Sequence, residues 1–421
     1  MSNLPLPNGE YQLDLVKRLA FNRLGGSADE LKAAHILQDE IASFGGTSHL
    51  EPFMIPWYDV DRCELSVTEP FERTLEVTGV GRSGCTDGVI EAELHYAEDG
   101  NPISLRGAKG KVLLLNELIY ENWQAIVDSG AIAYIVTAGE GDADPENTDL
   151  DWNYLRPYHL EKGRIPGFTI RTRDAIELLR DGAKKVRLCL HQTEFERESH
   201  NVVAEIKGTD RADEFIVMTA HYDSVPFSRG AWDNATGSAD LMALYAYYTE
   251  NRPRRSIRFI WCGSEERGLL GSKAYVAAHK DELAACRMGL NIDMTGPILG
   301  ADRCIITGIE ATKTMVEYMA RECGHFARIS RGIHSSDSTP FADSGIPTIS
   351  FARAGRGLVF HCRRDVEYPL GAEPLARTQN FMRTLSSRPI NSEEFPIPRE
   401  IPDDMREKID EYFRRKPRKE Q

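Results

Sequence analysis

No run in this sequence approaches the roughly 20 apolar residues that a helix needs to cross a bilayer, so a membrane is not an expected partner. The opening stretch, MSNLPLPNGEYQLDLVKRL, lacks the basic-then-apolar pattern of a secretory signal, and none is expected. Positive charge is scarce: 51 Lys and Arg stand against 65 Asp and Glu, a formal net charge of −14. Binding to a phosphate backbone relies on clustered cations that displace counterions, so nucleic acid is not an expected partner either. The eight cysteines (Cys63, Cys85, Cys189, Cys262, Cys286, Cys304, Cys323 and Cys362) never form a CxxC pair. Scattered thiols point to reduced side chains and a cytoplasmic location, and away from a disulfide frame or a zinc ribbon. Internal repeats are also lacking.

What is present is enough for two cores. With 421 residues, 41% of them hydrophobic, the chain exceeds the size at which a single core stops growing. The texture places one domain in residues 1–55 and 197–421 and a second, inserted one in 56–196. Near the start, Ser27-Ala28-Asp29-Glu30 reads as a capping box. Leu31, Ala34, Leu37, Ile41 and Phe44 follow at helical spacing, up to Gly45-Gly46. The insert is expected to be β-rich, with runs such as LEVTGV, GVIEAELHYA, GKVLLLNE, AIAYIVTAG and IPGFTI. A helix WQAIVDSG lies among them, and a second helix, capped by Thr172, follows.

After residue 197 strands and helices alternate. The strands are EFIVMTAH, SIRFIWCG, RMGLNIDM, RCIITG and PTISFAR; helical segments between and after them include TGSADLMALYAYYTE and EPLARTQNFMRTL. This alternation predicts an α/β domain with a mixed, mainly parallel central sheet and helices on both faces. Such sheets bind ligands beyond the carboxyl ends of their strands. The Pro-rich, charged tail has room for one short helix around residues 402–414.

The strand ends carry the chemistry. His221 and Asp223 follow EFIVMTA, Glu265 and Glu266 follow SIRFIWCGS, Asp293 ends RMGLNI, His361 follows PTISFARAGRGLVF, and Asp233 opens a helix. Each has an ordinary reading by itself: Asp233 as a helix cap, the glutamates as a solvated pair, a histidine as a loop residue. Their joint placement on one rim calls for a single explanation. Two histidines and three carboxylates suit a pair of divalent cations such as zinc, which take imidazole nitrogen and carboxylate oxygen alike. A pair of ions needs a bridging carboxylate, can activate a shared water and can polarise a carbonyl. A further carboxylate must stay off the ions to move the proton. Adjacent glutamates suit that division of labour.

The segments HYD, GAWDNATG, SEERGLLGS, NIDMTG and VFHCRRD, in this order, resemble peptidase family M28, the co-catalytic zinc peptidases that include aminopeptidases. The resemblance extends over about residues 197–385 and the N-terminal helix. It implies an exopeptidase that hydrolyses N-terminal peptide bonds with a hydroxide held between two zinc ions. It further implies that Asp233 bridges the ions, that His221 and Asp293 complete one site, and that Glu266 and His361 complete the other. Glu265 would be the general base, and Asp223 would orient the His221 ring. The bond corresponding to Asp233–Asn234 is often cis in the family. Other amide-bond chemistry on the same site stays open: dipeptidase, carboxypeptidase or N-acyl amino acid hydrolase action, glutaminyl cyclisation, or a non-catalytic binding role. The insert, through GAKGKVLLLN, SGAIAYIVTAG and IPGFTIRTRDAIELL, resembles a protease-associated domain, which shapes substrate access or assembly.

One departure concerns the segment that reads S-D-H-x-P-F in many family members. Here it is Ser336-Asp337-Ser338-Thr339-Pro340-Phe341, so Ser338 stands where a histidine is usual; His334 is either a stand-in or a loop residue. Four residues are candidates for contacting a peptide or aminoacyl substrate. Arg353 and Arg356 could hold a carboxylate or carbonyl in a fork, Tyr368 follows His361, and Trp232 adjoins Asp233. Their alternative readings are surface charge and packing. The tail helix and the insert offer contact surfaces for a homodimer.

Overall fold

A computed structural model of the protein describes residues 8–139, 150 and 153–416. Residues 1–7, 140–149, 151–152 and 417–421 lie outside the described residues. The chain divides into two compact units, Met1–Ile55 with Glu198–Gln421, and Pro56–Arg197.

The first unit is built on a mixed sheet. Four strands at its centre run parallel, in the order Thr348–Gly355, Cys286–Ile292, Arg211–His221, Arg255–Cys262. Gly300–Thr307 adds antiparallel to Thr348–Gly355, and Ala327–Arg331 adds parallel to Gly300–Thr307. On the other side the end of the strand Lys185–Ile206 pairs antiparallel with Arg255–Cys262. Along Arg211–His221, alternate residues supply two different cores. Ile216, Met218 and Ala220 pack into one cluster, with Leu15, Leu37, Leu244 and Met382 from helices. Phe215 and Val217 pack into another, with Tyr275, Leu283 and Phe341. Both faces of the sheet are therefore covered, as buried parallel sheets require. Each fully buried Leu, Ile, Met or Phe contributes about 1.5–3 kcal/mol relative to exposure.

The helix Thr236–Glu250 is buried on nearly every side, in keeping with its apolar sequence TGSADLMALYAYYTE. Its start lies so close to the sheet that a Cβ on Gly237 would meet the Ile292 carbonyl oxygen at 2.4 Å. Two helices at the N-terminus, Gly9–Leu19 and Ala28–Ser43, pack into the first core. The helix Gly9–Leu19 has no strong sequence signal other than Asn8, whose side chain accepts from the backbone N–H groups of Glu10 and Tyr11. The tail helix runs over Asp403–Tyr412.

The second unit combines strands with the two helices its sequence suggests. Strands Ile90–Tyr96, Val112–Leu115, Ala133–Ala138 and Gly167–Arg171 lie parallel in that order. Helices Tyr120–Asp128 and Thr172–Arg180 accompany them. Thr172 is the first residue of its helix and not the cap: its hydroxyl donates to the Ala138 and Gly139 carbonyls. Two apolar clusters, one around Leu114, Ile135 and Phe168 and one around Trp123, Tyr134 and Leu155, give this unit cores of its own.

Candidate metal centre

Because the four central strands are parallel, their carboxyl ends open on the same side of the sheet. His221 is the last residue of its strand and is in register with Cys262, the last residue of the next. Asp293 directly follows Ile292, and its backbone N–H donates to the Phe351 carbonyl at 2.9 Å. Asp233 lies in the turn before the helix Thr236–Glu250, and the Asp233–Asn234 peptide is cis. Asn234 ties this turn to the Asp293 strand: its amide nitrogen donates to the Ile292 carbonyl (2.9 Å) and its side-chain oxygen accepts from the Met294 N–H (3.0 Å).

Asp233 stands between two ligand groups. Its Oδ1 is 3.1 Å from His221 Nε2, which is itself 3.5 Å from Asp293 Oδ1. Its Oδ2 is 3.2 Å from His361 Nε2, which is 3.0 Å from Glu266 Oε2. Each carboxylate oxygen of Asp233 thus faces one histidine and one further acid. The sets His221, Asp233, Asp293 and Asp233, Glu266, His361 each bring ligand atoms within 4.8 Å of one another, as do His221, Glu265 and Glu266. Buried Asp293 Oδ1 and Glu266 Oε1 have no hydrogen-bond partner. Burial pushes the Glu266 carboxyl up to about 7, with Asp233 adding to the effect. Burial also raises Glu265 well above the carboxylate range, with Glu266, Asp337 and Asp293 adding to it against the pull of His221. An excess of buried acid with unsatisfied oxygens, presented as imidazole–carboxylate sets that share one bridging residue, fits a pair of divalent cations.

The walls of the centre are fixed by side chains outside these ligand sets. Asp223, fully buried, has Oδ1 3.3 Å from His221 Nδ1. The same carboxylate accepts from the backbone N–H groups of Glu265 (2.9 Å, Oδ1) and Glu266 (3.2 Å, Oδ2), so it holds the glutamate turn as well as facing the imidazole. Asp365 accepts from the N–H groups of Trp232 (2.7 Å) and Asp233 (3.1 Å). Arg23, fully buried, donates to the carbonyls of Tyr222, Arg229 and Gly230. The rim is open at His361, whose side chain is 48% exposed while those of Asp233, Glu266 and Asp293 are under 10%. His361 has a left-handed backbone (φ 59°), as do Ser264 (φ 52°) and Met294 (φ 61°) beside Glu265 and Asp293. Non-glycine residues in this region mark strain held by their surroundings.

The residues suggested for substrate contact fare differently. Arg353 is turned inward: its Nε donates to the Pro297 carbonyl (2.6 Å) and its Nη1 to Asp302 (2.8 Å), which His325 also faces at 2.9 Å. Two of its nitrogens are thus engaged, one on a carbonyl and one on a buried acid. Arg356 is exposed, with its backbone N–H on the Leu299 carbonyl at 2.9 Å. Tyr368 is 92% exposed. Trp232 is buried, packing edge-on against Phe360 at 6.0 Å. Ser338 is buried and accepts from the Ser350 hydroxyl at 2.9 Å. It is His334 that reaches the centre, with Nε2 3.7 Å from Asp293 Oδ2. Sequence reasoning passed over Arg23, Glu30 and Asp365 as parts of the site. Asp365 lay within the quoted VFHCRRD segment, whereas the Glu30 signal had been spent on a helix cap.

Residues 201–385 match the model of peptidase family M28. The aminopeptidase YwaD of Bacillus subtilis is 27% identical over 347 residues, covering 78% of this chain and 71% of that protein. Bovine carboxypeptidase Q is 26% identical over 276 residues, covering 61% of this chain and 58% of its own length. The solved structure of BSAP, a zinc aminopeptidase from Bacillus subtilis, superposes with a TM-score of 0.79 at 23% identity, covering 95% of this chain and all of that one. The likeness in fold takes in more of the chain than the family match does. Both ligand groups, from His221 to His361, lie inside the residues that match the family M28 model, and these likenesses support a metal-dependent peptidase.

Proposed function

We propose that the protein is a dizinc aminopeptidase that removes N-terminal residues from peptides. The observation that carries this reading is Asp233, with one carboxylate oxygen toward His221 and Asp293 and the other toward His361 and Glu266. Bound in these two groups, zinc would supply Lewis-acid activation of the attacking water and of the scissile carbonyl. Asp233 would hold both ions, with His221 and Asp293 completing one set and Glu266 and His361 the other. Asp223 steadies the His221 ring from its Nδ1 side. Glu265, buried and free of those roles, takes the proton of the attacking water and returns it to the leaving amine. Burial raises its carboxyl above the ordinary carboxylate range, the direction that favours accepting a proton. The open side at His361 is the route by which a peptide end reaches the centre.

The names of the relatives support both an aminopeptidase and a carboxypeptidase reading. The engagement of Arg353 with Asp302 favours the first, because that guanidinium is not free to grip a C-terminal carboxylate. Within the same proposal, the unit Pro56–Arg197 acts as a protease-associated domain governing access or assembly, and the protein works in the cytoplasm on peptides. A panel of aminoacyl amides, N-blocked peptides and N-acyl amino acids tests the reaction. Turnover of the unblocked substrates is expected, and cleavage of the blocked ones alone would refute it. With zinc loaded, Glu265→Ala is expected to lower kcat by about 10²–10⁴-fold without loss of metal.

A further inference from the structure

The capping pattern Ser27–Glu30 is only half used as a cap. Ser27 accepts from the Glu30 N–H at 3.1 Å, but the Glu30 side chain does not return to the Ser27 N–H. One of its oxygens, Oε2, takes the Gly26 N–H at 2.6 Å. The other, Oε1, points into the molecule and accepts from the Ser264 N–H (2.9 Å), the Ser264 hydroxyl (3.3 Å) and the Ser199 hydroxyl (2.9 Å). Those two hydroxyls are 2.8 Å apart. Glu30, Ser199 and Ser264 are all buried.

Ser264 immediately precedes Glu265 and has the left-handed backbone noted above. The turn from Gly263 to Glu266 is therefore pinned at three successive N–H groups by two carboxylates. Glu30 takes Ser264, and Asp223 takes Glu265 and Glu266. The approach of the N-terminal segment to this turn depends on two glycines. A Cβ on Gly263 would come within 2.8 Å of Glu30 Oε1, and a Cβ on Gly25 within 2.3 Å of the Ser264 hydroxyl oxygen. Neither substitution fits without moving the turn.

We propose that Glu30 is a positioning residue for Glu265, fixing the left-handed Ser264 turn so that the Glu265 carboxylate is held over the ligand groups. The proposal rests on the reading of Glu265 as the base. Glu30 does not itself reach the ligands; its effect passes through one backbone N–H. A carboxyl oxygen accepts from an N–H whether or not the group is protonated, whereas an amide nitrogen does not. In Glu30→Gln one of the two N–H partners, Gly26 or Ser264, is left facing an amide N–H.

The experiment uses the zinc-loaded full chain and compares wild type, Glu30→Gln, Glu265→Gln and the double variant. The readouts are kcat, KM, bound metal per chain and the visible absorption spectrum after cobalt substitution. Glu30→Gln is expected to bind metal at the wild-type stoichiometry, with the wild-type cobalt spectrum. Its kcat should fall by about 10–100-fold, the scale of a misplaced catalytic group, with KM within about twofold. In the Glu265→Gln background the same change should have no further effect, because Glu30 acts only through Glu265. An unchanged kcat in Glu30→Gln, or a loss that tracks metal content, or an equal loss in both backgrounds, overturns the proposal. If Glu265→Gln retains full activity, the assignment of the base fails instead. Should Glu30→Gln not fold, Ser199→Ala removes one hydroxyl partner of Glu30, and a kcat reduction of a few-fold with metal retained is expected; wild-type kcat would overturn the proposal.

Discussion

Asp223→Asn is a severe test of how the centre is held, because this buried carboxylate has two tasks and uses both of its oxygens. Its Oδ1 takes the Glu265 N–H and lies 3.3 Å from His221 Nδ1; its Oδ2 takes the Glu266 N–H. Asparagine keeps the shape and one acceptor. If its oxygen stays on Glu265, its amide nitrogen meets the Glu266 N–H, donor against donor; if it flips, Glu265 loses its acceptor and the nitrogen faces His221. Either way one buried N–H goes unpaired, which costs about 1–3 kcal/mol of stability. The imidazole also loses its anionic neighbour, and removal of such an outer partner weakens metal binding by about 10–100-fold. The assay is a chelator-competition titration for zinc, run beside denaturant unfolding of the metal-free protein. Both quantities are expected to fall. Zinc affinity within twofold of wild type would refute the reasoning that Asp223 orients His221, and unchanged stability of the metal-free protein would refute its role in pinning the glutamate turn.

Three further outcomes follow from the same geometry. Asp233→Ala should lose bound metal and activity together, whereas Glu265→Ala should lose activity alone; elemental analysis showing equal metal loss in the two would invert the assignment. Asp240, buried between Gln12 and Thr295, is pushed up to about 8 by burial. A folded-state pKa above the unfolded value of about 3.9 means stability present at low pH that is lost as pH rises through about 8. Asp240→Asn can accept from Gln12 and donate to Thr295, so urea unfolding should show a shallower decline between pH 5.5 and 8.5 than in wild type. Parallel pH profiles would count against it. Arg353→Ala should lower thermal stability, since it strands Asp302 opposite His325, with little change in KM for unblocked substrates; a raised KM with unchanged stability would return Arg353 to the substrate site.

The parts of the molecule legible in its sequence are those fixed by local pattern. Strand–helix alternation after residue 197 foretells the parallel sheet, and the helix TGSADLMALYAYYTE has the bounds its composition suggests. His221, Asp233, Glu266, Asp293 and His361 stand out because each follows an apolar run or opens a helix, and parallel strands bring such positions to one edge. What stays hidden depends on partners distant in sequence. Arg353 sits in a loop-like segment, ARAGRG, and only the pairing of its strand with Gly300–Thr307 sets it opposite Asp302. Ser338 and His334 are four residues apart, and the backbone turn between them decides which one reaches Asp293. Glu30 satisfies a helix-capping rule in sequence and spends its other oxygen on a strand end more than two hundred residues away.

The candidate ligands of the centre come from strand ends and turns that are widely separated along the chain, with Asp233 common to the two groups. No contiguous piece of polypeptide short of His221 to His361 contains both sets. Metal occupancy is accordingly a reporter of the finished sheet: an ensemble in which the strand Thr348–Gly355 has not docked has no second histidine to offer. Ions that bind only the completed fold also draw the equilibrium toward it, by RT ln(1 + [L]/Kd) for each. Zinc then acts on the conformational equilibrium of the whole unit as well as on its substrate, so stripping the metal should loosen strands far from the centre along with those that hold it.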